Sequence, residues 1–233
     1  MSGTELLKHV TMIRKLRLLW DVCCFNTLRF NFKYLPFRQA IRLPIWVSRR
    51  VRVRKAGGKV TINSAVGTGM IRIGLDGVGI FDNKRSRSIW QVDGHMIFNG
   101  RCFIGHGCKI SLNSGGVMTL GRNFGCTAES SFIVSRSLTI GDDCLFSWDV
   151  LLMDTDFHPI CDSEQHVLNP SKPIVIGNNV WIGCRTLVTK GVSIADGTVV
   201  AAGSIVSRNI VESNCVMGKN PLQVLRRDVT WHK

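Results

Sequence analysis

No apolar run in this chain approaches the ~20 residues that cross a bilayer as a helix. The pattern of a secretory leader is missing too, because Glu5 and Lys8 come first and the apolar run behind them is short and interrupted. Both absences lead to the expectation of a cytoplasmic protein, attached if at all to the inner face of the membrane. Nine cysteines are scattered along the chain without a CxxC pair or a zinc-like Cys/His spacing, so no metal is expected. Several of them stand where the repeat described below wants a small residue, which points to buried thiols in a reducing compartment. Acidic residues are scarce in the first quarter. Residues 1–56 hold thirteen basic and two acidic side chains, a net of +11 out of +14 for the whole chain. The rest is nearly neutral, and no recognition motif accompanies the charge, which argues against a nucleic-acid partner.

What the basic segment does have is apolar and aromatic residues. LLKHVTMIRKLRLLWDVCCFNTLRF places apolar side chains at mixed three and four spacings and reads as helical. Pro36 and Pro44 then punctuate a stretch that ends in Arg49, Arg50, Arg52 and Arg54. Such a surface suits an anionic membrane face, an anionic substrate, or plain solubility. Its aromatics either contribute to an interfacial surface or cap the core of the next domain.

From about residue 57 the text fills with glycine, valine and isoleucine and never settles into two-residue alternation. Ile176, Ile182, Val188, Ile194, Val200 and Val206 recur at a strict spacing of six. Val180, Thr186, Val192, Thr198 and Ser204, all modest in size, follow the first five at a distance of four. Less regular turns of the same kind are IGHGCK, LGRNFG, and IGDDCL followed by FSWDVL. A period of six is neither helix nor ordinary sheet. It fits a coil of short strands with a corner every six residues, the aliphatic residue pointing inward and each turn lying ~4.8 Å over the last. DTDFHPI, residues 154–160, interrupts that beat.

On IGDDCLFSWDVLLMDTDFHPI, the run IVIGNNVWIGCRTLVTKGVSIADGTVVAAGSIV and VMGKNPLQVLRR, the sequence resembles the hexapeptide-repeat acyltransferases. Within them it looks most like the sugar O-acetyltransferases of surface-polysaccharide synthesis. The resemblance implies an all-β, left-handed parallel β-helix over residues 57–218, with a loop at 154–175. A partly helical basic segment at 1–56 precedes it, and a short C-terminal helix at 219–233, opened by Asn220 and Pro221, follows. It further implies a homotrimer, acetyl-CoA as donor in a groove between neighbouring coils, and a glycan or lipid-linked oligosaccharide as acceptor. Serine, an amino sugar or an antibiotic are alternative acceptors, and a non-catalytic scaffold is the alternative role.

Acyl transfer from a thioester to a hydroxyl needs a base and an oxyanion donor. His158, in the polar break, is the candidate base. Asp156 or Asp154 is placed to fix its tautomer. Asp149 stands where similar enzymes often carry asparagine. Because an ionised carboxylate cannot donate to an oxyanion, it is expected to accept from sugar hydroxyls or to orient His158 across a subunit boundary. His106, inside the repeat, is a weaker candidate for an acceptor contact, and His95 and His166 read as surface loop residues. By resemblance, the turns at Cys184 and at Ala202–Gly203 line the pantetheine arm of CoA, with Ser207 and Arg208 near its adenine end. Lys219, Arg226 and Arg227 are the expected partners of its phosphates. Trp181 is expected to pack at a corner or against a neighbouring subunit.

Overall fold

A computed structural model describes residues 21–232 other than 23, 77, 83 and 84. The part of the basic segment before residue 21 lies outside the described residues. Among the described residues, two helices, α1 (Cys24–Tyr34) and α2 (Phe37–Ala40), precede twenty-two short strands. Strands of every third position in the chain pair in parallel. One sheet runs from β1 (Ile45–Val47) through β4 (Ile71–Ile73), β7 (Cys102–His106), β10 (Phe124–Ala128) and β13 (Leu145–Phe146) to β16 (Trp181–Ile182), β19 (Val199–Val200) and β21 (Val216–Gly218). A second sheet includes β8 (Lys109–Leu112), β11 (Ser131–Val134), β14 (Leu151–Met153), β17 (Leu187–Val188) and β20 (Ile205–Val206). The third includes β12 (Ser137–Ile140), β15 (Ile174–Ile176) and β18 (Ser193–Ile194). The chain therefore climbs a triangular coil, one strand per face per turn, which is the left-handed parallel β-helix implied by the resemblance.

The six-residue beat is the beat of the faces. Ile176, Ile182, Val188, Ile194, Val200 and Val206 are buried in the narrow interior. The residues four places later sit at the corners, where Thr186, Thr198 and Ser204 donate their hydroxyls to the carbonyls of Gly183, Ala195 and Ala201 at 2.7–2.8 Å. A small hydroxyl residue at the corner thus satisfies a backbone acceptor that the turn leaves unpaired. Asn179, Arg185, Gly191, Gly197 and Gly203 take the left-handed conformation one residue before those corner positions, again six apart. Higher in the coil the interior is wider and holds Phe124, Phe132 and Phe146, with Phe124 edge-on to Phe146 at 5.1 Å.

Both ends of the coil are closed by the chain. At the first end, α1 buries Thr27, Phe30 and Asn31. Asn31 accepts from Ile45 N and donates to Ile45 O, and Thr27 Oγ1 accepts from Val47 N. These side chains stand in for the missing strand beside β1. Phe30 packs on Trp90, whose Nε1 donates to Tyr34 OH. The coil accordingly starts at Ile45, ahead of the expected boundary at 57. The aromatics of the basic segment divide, Phe30 capping the core and others facing solvent.

The C-terminal helix expected over 219–233 does not form. Residues Gln223–Arg226 make a strand, β22, antiparallel to β21. The physical reason is the spacing of Leu222 and Val224, two apart, which lets both pack on the core while the backbone pairs the free edge of β21. Trp231 then donates Nε1 to Asn179 O and packs against Trp181 at 5.9 Å, so Trp181 meets the chain's own tail. Of the described cysteines, Cys102, Cys108, Cys126, Cys144 and Cys215 are buried.

Candidate functional site

The loop between β14 and β15 is fastened at both its base and its middle. At the base, buried Asp154 accepts the backbone N–H groups of Ser135 and Arg136, one on each carboxylate oxygen, at 2.7 Å each. At the middle, the Asp156 carboxylate accepts from the Lys190 ammonium and from Asn169 Nδ2. Lys190, chiefly, and Asn169 hold that carboxyl below its ordinary range. Asn169 also donates to His158 O and accepts from Ile160 N, so it ties the two arms of the loop together.

His158 is left exposed at the tip of this clamp, and its imidazole makes no hydrogen bond to any described residue. Its neighbours in sequence do not serve it within one chain. Asp154 is spent on the backbone of the coil above, and Asp156 on Lys190 and Asn169. Both carboxylates therefore orient the loop, and the loop orients His158.

Asp149 lies at the other end of β14, at the corner between the first and second sheets, in the left-handed conformation. Arg185 sits at the next corner below, its Nε 3.9 Å from Asp149 Oδ2. Gly203, with its N–H on Cys184 O, forms the corner after that. Asp149, Cys184, Ala202 and Gly203 thus collect along one edge of the coil. Ser207 follows β20, and Lys219 lies in the turn before β22, where the neighbouring Asn220 accepts from Ile205 N and donates to Gly203 O. Of the remaining basic candidates, Arg226 and Arg227 separate from these. Arg208 donates to Leu222 O, Arg226 ends β22, and Arg227 pairs with Glu212 Oε1 at 2.6 Å, beyond the far side of the first sheet.

His106 is buried rather than open to an acceptor, its Nε2 2.7 Å from Ser86 Oγ. Burial lowers its pKa. His95 lies on a strand, β6 (His95–Phe98), with its Nε2 on Thr61 Oγ1 at 2.8 Å, while His166 is a loop residue paired with Asp162. Sequence reasoning missed Lys190 and Asn169. Lys190 carried a signal, a lone lysine within the regular hexads, and its side chain is only 18% exposed.

Between the edge of Asp149 and the edge of His158 lies the outer face of the second sheet. Leu151, Leu187 and Ile205 pair in one outward row, with Met153 and Ile133 beside them. These five side chains are uncharged, the Leu151 row continuing through Ser131 to Lys109, and Ile205 is 44% exposed.

Residues 173–208 match the family model described as bacterial transferase hexapeptide (six repeats). The chain carries the hexapeptide repeat over these residues. Over 112 residues it is 38% identical to the galactoside O-acetyltransferase of Escherichia coli K12, covering 46% of this chain and 52% of that one. Over 124 residues it is 34% identical to the polysialic acid O-acetyltransferase of E. coli O1:K1, covering 52% and 40%. The chain thus spans about half the length of these curated relatives or less. A crystal structure of a polySia-specific acetyltransferase aligns with 79% of this chain and 89% of its own, at 22% identity and a TM-score of 0.47. Among the described residues of this hexapeptide-repeat chain, no helix is long and apolar enough to cross a membrane, and no cluster of three potential metal ligands occurs.

Proposed function

We propose that this hexapeptide-repeat chain is an acetyl-CoA-dependent O-acetyltransferase acting on a sugar hydroxyl of a surface-polysaccharide precursor. The observation that carries this reading is the exposed His158, unpaired and held at the tip of a loop that Asp154, Asp156, Lys190 and Asn169 fix to the coil. A general base needs both features: a free ring nitrogen and a fixed position. His158 takes the proton of the acceptor hydroxyl as its oxygen attacks the thioester carbonyl. The tetrahedral intermediate then expels the CoA thiolate, which leaves with that proton, and the acetyl ester remains on the acceptor.

Homotrimeric assembly completes the site. The uncharged outer face of Ile133, Leu151, Met153, Leu187 and Ile205 supplies apolar surface for a neighbouring coil. A neighbour packed there brings its own Asp149 edge toward His158, two groups that one chain keeps at opposite ends of β14. The pantetheine arm follows the edge formed by Cys184, Ala202 and Gly203, and Ser207, Arg208 and Lys219 extend it toward the CoA phosphates. Arg226 and Arg227 belong to that set only if the Arg227–Glu212 pair opens. Asp149 receives a sugar hydroxyl.

A complex with CoA and acceptor tests the arrangement. It should place His158 within ~3.2 Å of the accepting hydroxyl, in a groove made by two chains. An imidazole pointing into bulk solvent in that complex defeats the mechanism. A panel of glycans, amino sugars, serine and chloramphenicol-like alcohols, assayed by CoA release, separates the acceptor classes.

A further inference from the structure

Fifteen large apolar side chains are exposed among the described residues, and five of them fall within residues 25–41. On α1, Phe25, Leu28 and Phe32 stand three and four apart, opposite the face that buries Thr27, Phe30 and Asn31. Phe25 is 72% exposed and Phe32 49%. Beyond Pro36 the ridge continues with Phe37, 70% exposed, and Ile41; the rings of Phe32 and Phe37 are 6.1 Å apart. A helix on a protein surface ordinarily turns polar residues to water. This one turns phenylalanines outward, although its other face is already committed to the coil.

The charge around the ridge has one sign. Arg29, Lys33, Arg38 and Arg42 are all exposed, and no acidic residue occurs in residues 24–42. Their aliphatic stems can lie along apolar surface while the cationic heads reach phosphates. The other exposed apolar cluster, Phe157, Ile160, Val167 and Leu168 of the histidine loop, provides the contrast. It sits among Asp156, Asp162 and Glu164, the wrong sign for an anionic surface.

We propose that the outward face of α1 and α2 docks peripherally on an anionic lipid bilayer. Aromatic and aliphatic side chains enter the interface, and Arg29, Lys33, Arg38 and Arg42 meet the headgroups. At ~16 Å, α1 is too short to span and lies in the interface plane. The hydrogen bonds of Asn31 and Thr27 to β1 hold it rigidly, so membrane contact fixes the orientation of the whole coil. The inference stands on a surface remote from His158 and is independent of the transfer reading. Combined with that reading, it selects acceptors presented at a membrane.

Sedimentation of the full chain with vesicles tests it. The expected result is binding to phosphatidylcholine vesicles that contain phosphatidylglycerol, little binding to phosphatidylcholine alone, and a several-fold loss on raising salt from about 0.1 to 0.5 M. Phe32→Ser with Phe37→Ser, and separately Arg29→Glu with Arg38→Glu, should each reduce binding at least tenfold while the melting temperature is kept. Unchanged binding in both variants overturns the proposal, as does failure of the wild type to sediment with anionic vesicles. If the phenylalanine variant instead lowers the mass seen by light scattering, the face belongs to a second copy and the proposal also falls. His158→Ala should bind vesicles like the wild type, which keeps failure of the docking surface distinguishable from failure of the transfer reading.

Discussion

The coil above the histidine loop and the coil below it share three sheets but not one pitch. Below, residues paired along a sheet are eighteen apart, as with Ile182 and Val200 or Asn178 and Asp196. Above, Arg122 and Asp142 are twenty apart, and Asn113 and Ser135 twenty-two. The left-handed corner residues locate the surplus. Asn123 to Glu129 and Asp143 to Asp149 are each six, just as Asn179 to Arg185 is below. From β7 onward the difference therefore falls across the second and third sheets and the corner between them. Glu129 to Asp143 takes fourteen residues, Gly107 to Asn123 sixteen and Asp149 to Asn179 thirty, where Arg185 to Gly197 needs only twelve. From β7 to β20 one corner of the triangle takes the insertions, and the loop carrying His158 is its longest; nearer the first end, residues 74–87 are inserted at the corner after β4. Along that part of the coil from β7 to β20 the other two corners keep the sheets in register while the third is free to lengthen.

The lower half, with no slack, should break most severely. Ile182→Asp puts a carboxylate with no partner into the fully buried interior and is expected to cost about 4 kcal/mol or more, read as loss of the cooperative melt. Asp154→Ala attacks the variable corner instead. It strands the N–H groups of Ser135 and Arg136 at about 1–3 kcal/mol each, and CoA release should fall along with the melting temperature. Thr186→Val removes one corner hydroxyl of the regular half and should cost about 1 kcal/mol with no effect on transfer. Lys190→Met should leave the melt nearly unchanged but loosen the loop, seen as faster hydrogen exchange at the Phe157–Leu168 amides. The sign with pH follows from Asp156, whose carboxyl Lys190 holds below its unfolded value. The clamp is complete above the ordinary carboxylate range near pH ~4 and is lost as pH falls through the lower folded value. That acid-induced loosening should appear in the wild type and be absent in Lys190→Met.

The same difference explains what the sequence disclosed. Six hexads from Ile176 to Val206 lie where the variable corner has no insertion, so inward residues, corner residues and face order all follow from a spacing of six. In the upper half the extra corner residues shift the phase on every turn, and the strands around Ile45 and Val51 escaped notice behind the basic composition. His158 was legible because it breaks the beat. Its supports were not, because Lys190 and Ser135 reach the loop from turns that are neighbours only after coiling. The tail misled for a local reason: Asn220 and Pro221 suit a helix start, but the unpaired edge of β21 and the two-residue spacing of Leu222 and Val224 decide for a strand.

The central claim is that the variable corner exists here to hold a base. Acetyl-CoA turnover by His158→Ala, measured with an accepted glycan on protein whose assembly and melting temperature match the wild type, tests it directly. The account predicts a loss of about 10²-fold or more in turnover. Turnover at the wild-type rate would contradict it and leave the coil a scaffold.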